Sequence, residues 1–275
     1  MKSNTTALQT SGFNSLIIFG LGILDSGAIK YYSNTPGSQD VVVAAGGSYV
    51  GGDALAARVR SFKTSSNNRT GSVNRVEISM NAQHVSALMA RPGPGADTPL
   101  SRNFQALRAA WALDAVNNDD ESLYDVASTV AFARMLGRAG YRYTIAPYTN
   151  TRFWAAVAAQ LNSNTTKTTS GGGGDRPLLL DRAYLQCYDG GAGNDPAAWQ
   201  SALGASAGVK VVPLVWVTND SKPGQGTTAA QARSRFAAWN RRSSLAGGGY
   251  WNDFDIEKMR LSYKEYGDVL LSLFP

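Results

Sequence analysis

The chain has 275 residues, 43% of them hydrophobic and 17% charged, which is enough apolar material for a packed core and too much for a disordered chain. Its formal charge of +6 is scattered singly, with Arg241-Arg242 the one tight pair and no basic run interleaved with aromatics, so no nucleic-acid partner is expected. One cysteine, Cys187, and one histidine, His84, exclude an intrachain disulfide and the usual zinc ligand sets, and no apolar stretch reaches membrane-spanning length.

Along the chain, short apolar runs alternate with longer amphipathic ones, the rhythm of βα units. Residues 5–10 are taken as the remnant of a weak or truncated first strand. The run at 16–24 resembles a signal-peptide core, but only Lys2 precedes it and the turn signal Asp25-Ser26-Gly27 follows, so it reads as a buried strand and no signal peptide is assigned. A shorter run at 41–45 is an excursion outside the barrel. Helical spacing over 53–62 leads to a strand at 73–80, then a helix at 103–110, a strand at 112–117, a helix at 126–139 and a strand at 141–147. A helix at 152–161 follows, then a Thr- and Gly-rich loop at 162–175. The last elements are a strand at 178–188, a helix at 196–203, a strand at 209–217, a helix at 228–238 and a strand at 249–255, with Gly140 and Gly204 as helix stops. The expected fold is α/β, a single (β/α)8 TIM barrel spanning residues 1–275.

At the end of the 112–117 strand the sequence Asp114-Ala115-Val116-Asn117-Asn118-Asp119-Asp120-Glu121 crowds acids together. Alternation turns Asn117, Asp119 and Glu121 to one side, and barrel enzymes carry their chemistry at the C-terminal ends of strands. Clustered carboxylates in a low-dielectric mouth raise the pKa of at least one member. The expectation is a protonated Glu121, suited to general-acid work on a glycosidic oxygen, beside a charged Asp119. The same acids also suit a solvated loop or a helix N-terminus, because a helical stretch begins at Val126. A calcium loop would need a mid-loop Gly that is missing.

The spacing Asp114-x-x-Asn117-x-Asp119-x-Glu121 resembles the D-x-x-D-x-D-x-E signature of glycoside hydrolase family 18, the chitinase family, with Asn117 in place of its middle Asp. Gln186-Cys187-Tyr188-Asp189 is similar to the family's sixth-strand motif. Gly249-Tyr250-Trp251-Asn252-Asp253 is similar to its last strand, which places a Trp under the sugar, and Ile78-Ser79-Met80 stands at the third-strand serine motif without its glycines. The resemblance runs from Phe13 onward. It implies retaining cleavage of β-linked N-acetylglucosamine glycans, with the substrate's acetamido oxygen as nucleophile.

Carried over by position, Glu121 protonates the leaving oxygen and later activates water, Asp119 holds the acetamide N–H, and Tyr188 bonds its carbonyl side. Trp251 floors the subsite, and Gln186, Asn117 and Asp189 line it. The resemblance implies an oligo- or polysaccharide partner, no cofactor, and secretion, and a monomer is expected. Two departures matter. Asn117 cannot share a proton with Asp119, although its amide can donate to a charged Asp119; Asp120, where the family commonly has an aromatic, adds a charge near the site.

Other candidates come from the residues alone. Tyr148, Trp216 and Trp154 lie near strand ends and are weighed as sugar-stacking rings against a core role. Asp253, Asp255 and Glu257, alternating on the last strand, offer a second carboxylate for an ordinary two-carboxylate glycosidase. A lectin that binds on the same barrel without cleaving is a further reading. Gly20-Leu21-Gly22 lacks the third glycine and following helix of a dinucleotide site, and Gly171–Gly174 lacks the Lys of a phosphate loop. His84 reads as structural or exposed, and Cys187 as a small hydrophobe packed between barrel and helices.

Overall fold

Val-, Ile- and Leu-rich runs that end in polar residues form the strands of one sheet. The computed structural model describes residues 3–33, 38–63, 72–163, 178–204 and 208–274. The first half contains α1 (Thr5–Gln9), β1 (Ser15–Ile23), β2 (Ile29–Tyr31), β3 (Val41–Ala45), β4 (Ser48–Tyr49), α2 (Asp53–Arg60), β5 (Arg75–Met80), α3 (Val85–Ala90), α4 (Pro99–Trp111), β6 (Ala115–Asn118) and α5 (Val126–Arg138). The second contains β7 (Arg142–Ile145), α6 (Thr151–Asn162), β8 (Leu180–Gln186), α7 (Pro196–Leu203), β9 (Lys210–Trp216), α8 (Ala229–Ser243), β10 (Gly249–Trp251), α9 (Asp253–Lys258) and α10 (Tyr263–Leu273).

The order across the sheet is β10-β9-β8-β7-β6-β5-β1-β2-β3-β4. From β10 to β1 every pairing is parallel, and α4, α5, α6, α7 and α8 each return the chain to the start of the next strand. The excursion expected at 41–45 is real: β2, β3 and β4 extend β1 as antiparallel hairpins. Asn103 ties this flap to α4, accepting from Gly47 N–H at 2.8 Å and donating to the Gly27 carbonyl at 2.7 Å.

Local signals set the helix ends. Thr98 and Asp125 accept from the backbone N–H of Ser101 and Ser128, Asp195 precedes Pro196 at the first turn of α7, and Thr228 with Gln231 forms a reciprocal capping box. Gly140 follows α5 at φ +89°, a conformation in which a Cβ would be strained. The 162–175 loop falls outside the described residues from 164 onward. No helix among the described residues is long and apolar enough to cross a membrane.

Two sequence expectations are corrected here. Residues 5–9 are a helix and not a strand, because Asn4 caps them by accepting from Ala7 N–H. The sheet therefore has seven parallel strands among the described residues, and side chains join its two ends: Phe13 meets Tyr250 at 6.0 Å between ring centroids and Phe19 stands edge-on to Trp251 at 4.7 Å. The last strand stops at Trp251 because Asn252 caps α9, accepting from Asp255 N–H at 2.9 Å, so Asp253, Asp255 and Glu257 lie on a helix and do not alternate on a strand.

Of the two roles weighed for Trp154, sugar platform and core, the structure gives the core. Its ring is 0% exposed, packed against Phe153 at 4.7 Å and Tyr124 at 6.4 Å, and its Nε1–H has no hydrogen-bond partner. Truncation at a site this enclosed leaves a cavity, so Trp154→Ala is expected to lower the unfolding free energy by about 3–5 kcal/mol in urea titrations. Trp154→Phe keeps most of the packing and deletes an unpaired donor, and should cost markedly less. Equal losses for the two variants would mean that the ring's volume is not what the core needs.

Candidate active site

Strand β6 lies between β5 and β7, with Asn117 in register with Ser79 on one side and Thr144 on the other. The ladder runs one residue past the strand, since Asp119 N–H donates to the Met80 carbonyl at 2.9 Å. The chain then turns sharply. Asp120, only 2% exposed, points into this turn and accepts from the N–H groups of Ser122 (3.0 Å), Leu123 (2.7 Å) and Tyr124 (2.8 Å). The residue expected to add a loose charge beside the site is instead the fastener of the turn that follows it.

Eight of the residues singled out from the sequence, Asn117, Asp119, Glu121, Tyr148, Gln186, Tyr188, Asp189 and Trp251, line one cavity of ≈ 1460 Å³. They differ in how they are held. Asp119 is half-buried, with Oδ1 accepting from Gln186 Nε2 at 3.3 Å; the same Gln186 amide donates to the Ala146 carbonyl at 2.9 Å. Burial, then repulsion from Glu121 and last from Asp120, pushes the Asp119 carboxyl up to about 7. The sequence expectation put the raised carboxyl at Glu121 and the permanent charge at Asp119. The structure reverses the burial that expectation relied on, because Glu121 stands exposed at the rim and Asp119 lies deeper.

Asn117 does not donate to Asp119 as expected. Its Nδ2 goes to Thr144 Oγ1 at 3.0 Å, on the neighbouring strand, and Gln186 takes the place beside Asp119. Tyr188 is stacked on Trp251, with centroids 6.4 Å apart and planes 15° from parallel, and is edge-on to Trp216 at 5.9 Å. Its hydroxyl is held well above the ordinary phenol range by burial and then by Asp119 and Glu121, so it stays a donor. Asp189 is not free for a ligand: exposed at the rim, it pairs with Lys222. Tyr148 is half-buried, and its ring closes on Gly190.

Asp255 leaves the candidate list. It is 3% exposed and its Oδ2 accepts from Trp216 Nε1 at 2.7 Å, an anchor that fixes the indole in the cavity wall. Cys187 faces away from Gln186 and Tyr188 and is buried, its thiol pushed up to about 12 by burial, which keeps it an unreactive packing group. Phe19 was missed. It is 43% exposed, lines the cavity and abuts Trp251, yet its place within an apolar run disguised it as core. The available signal was an aromatic directly before Gly20 near a strand end.

The fold matches those of solved glycosidases. A chitinase from Rhizomucor miehei aligns over 94% of this chain and 94% of its own with a TM-score of 0.54 at 11% identity. A fungal endo-β-N-acetylglucosaminidase of glycosyl hydrolase family 18 aligns over 95% and 88% with a TM-score of 0.53 at 12% identity. A family 18 chitinase from Cycas revoluta, solved in complex with allosamidin, aligns over 98% and 96% with a TM-score of 0.53 at 12% identity. At these identities the likeness carries the fold, a chitinase-like TIM barrel. No protein-family model matches the chain, and no curated protein does.

The raised Asp119 carboxyl has a consequence for stability. The folded protein holds this proton more tightly than the unfolded chain does, so raising the pH from 3.8 to about 7 costs folding free energy, and the loss is complete above that window. Asp119→Asn removes the dependence. Urea midpoints followed against pH should show the variant gaining on the wild type across the window and running parallel above it; parallel curves throughout would mean that the carboxyl is solvated.

Proposed function

We propose that the chain is a glycosidase that cleaves β-linked N-acetylglucosamine-containing glycans with retention, the substrate's acetamide serving as nucleophile. The observation that carries this reading is one cavity in which a half-buried Asp119 and an exposed Glu121 stand beside an aromatic wall of Tyr188, Trp216 and Trp251. The fold is that of solved chitinases and of an endo-β-N-acetylglucosaminidase. The acting unit in this reading is a single barrel domain.

In this mechanism a sugar ring lies against Trp251, whose flat apolar face suits the C–H side of a pyranose. Glu121 acts as the general acid, giving a proton to the glycosidic oxygen while the acetamido oxygen attacks the anomeric carbon and the leaving sugar departs. Asp119, once ionised, accepts the acetamide N–H and stabilises the positive charge of the resulting oxazolinium ion. Tyr188 remains protonated and donates to the acetamide oxygen. Glu121 then takes a proton from water as that water opens the ring, which restores the starting state.

A binding protein without turnover is the second reading, and Asn117 favours it. With an amide at this position, tied to Thr144, Asp119 has no carboxylate with which to share a proton. Two variants separate the readings on a chromogenic chito-oligosaccharide. Glu121→Gln is expected to lower kcat by about 10²–10⁴-fold with KM little changed. Wild-type turnover equal to that of the variant would remove Glu121 from the chemistry, and calorimetric binding without wild-type turnover would favour the lectin. Trp251→Ala should act mainly on KM, raising it about tenfold through the lost stacking surface; an unchanged KM would take the sugar off that indole.

A further inference from the structure

Beneath the row that carries Asp119 lies a second set of polar groups that the proposed chemistry leaves unused. Glu77, on β5, is 0% exposed. Its Oε1 accepts from Arg75 Nε at 2.6 Å and Tyr184 OH at 2.8 Å, and its Oε2 accepts from Thr144 Oγ1 at 2.6 Å. Arg75 continues to Asp181 through two bonds of 2.6 and 3.0 Å, and Arg182 donates to Tyr184 OH at 3.2 Å and Ser15 Oγ at 3.0 Å. A charge buried this deeply is tolerated only when its lone pairs are filled, as they are here.

The direction of these bonds is forced by chemistry. An ionised carboxylate only accepts, and a hydroxyl has one proton to give. Thr144 commits that proton to Glu77, so toward Asn117 it can only accept, and Asn117 must turn Nδ2 to it, at 3.0 Å. Among the described residues Asn117 Oδ1 is then left without a hydrogen bond, in a residue that lines the cavity two positions before Asp119. We propose that Glu77 is a positioning residue for this site: through Thr144 it dictates which way round the Asn117 amide sits, so that an acceptor and not a donor is offered on the side where Asp119 lies.

The inference rests on the reading of Asp119 as part of the site. An acceptor beside a carboxyl favours its protonated form, an effect separate from the burial and the Glu121 and Asp120 charges that raise Asp119. The titratable and polar groups facing Asp119 are Glu121 and Asp120 from its own segment and Gln186 and Tyr188 from the end of β8; those facing Glu77 are Arg75 and Tyr184, with Asp181 and Arg182 beyond. Glu77→Gln would undo the arrangement. A glutamine amide can donate to Thr144, whose proton then passes to Asn117 Oδ1, and the amide turns over to offer N–H groups to Asp119.

The experiment is a carbon-13 NMR titration of the Asp119 side-chain carboxyl in the full-length labelled protein, with turnover of a chromogenic chito-oligosaccharide followed in parallel. In Glu77→Gln and in Thr144→Val the Asp119 midpoint is expected to fall by about 1 pH unit, and in Thr144→Ser, which keeps the hydroxyl, to stay in place. Thr144→Val leaves Glu77 its bonds to Arg75 and Tyr184 and carries the test if Glu77→Gln fails to fold. The pH profile of kcat should move with the NMR midpoint while KM stays within about twofold. A midpoint unmoved in folded Thr144→Val, or moved equally in Thr144→Ser, overturns the inference whatever the turnover; absence of wild-type turnover counts against the glycosidase reading alone, because the titration needs no substrate.

Discussion

Three backbone N–H groups, those of Ser122, Leu123 and Tyr124, converge on the carboxylate of Asp120, and the position of Glu121 depends on that knot. A parallel strand that leaves a barrel must turn outward to meet its helix, and the first few N–H groups of the turn have no ladder to donate to. The Asp120 carboxyl satisfies them with three hydrogen bonds, which is how it sits at 2% exposure. The same knot holds Tyr124 in the left-handed region at φ 47°, a conformation unfavourable for a bulky residue, and delivers the chain to Asp125, the cap of α5. Glu121 projects from the turn because its neighbour is the residue that faces inward.

Inside the barrel the polar groups form two layers with different degrees of satisfaction. In the lower layer Glu77, Arg75, Tyr184 and Thr144 fill one another's bonding capacity, which makes a rigid support. In the upper layer, among the described residues, the Asp119 carboxyl has one long bond from Gln186 and the Tyr188 ring makes aromatic contacts with Trp216 and Trp251. Groups left with spare capacity at the edge of a cavity can exchange protons or meet a ligand, whereas saturated ones cannot without breaking something. Asn117 belongs to both layers, bonded downward through Nδ2 and open through Oδ1.

The seam between β1 and β10 shapes the aromatic side of the cavity. No ladder joins these strands, so their facing edges are managed by rings: Phe13 on Tyr250 at one end, Phe19 on Trp251 at the other. Trp251 therefore contacts Phe19 across the seam and Tyr188 along the wall, while Trp216 behind it is pinned by Asp255. The aromatic surface offered to a ligand is thus assembled from β1, the end of β8, β9 and β10. Its rigidity comes from ring-to-ring contact and one buried hydrogen bond.

The sequence by itself determined the alternation of strands and helices, the barrel class, the excursion at 41–45, and the gathering of Asn117, Asp119 and Glu121 with Tyr188 and Trp251 along one cavity. All of these follow from local periodicity and from where a strand ends. It was blind to α10, whose Gly267 weakens the helical signal but is required there, since a Cβ at that position would fall 1.9 Å from the Ser11 carbonyl oxygen. Only the tertiary structure decided which acid is buried, that Asp120 fastens a turn, that Asn117 bonds Thr144, and that Asp255 serves Trp216. The reason is reach: apart from the Asp120 turn, whose partners lie 2 to 4 positions on, the hydrogen-bond partners at this site come from residues 27 to 67 positions away in the chain, a distance over which side-chain pattern carries no information until the strands are laid side by side.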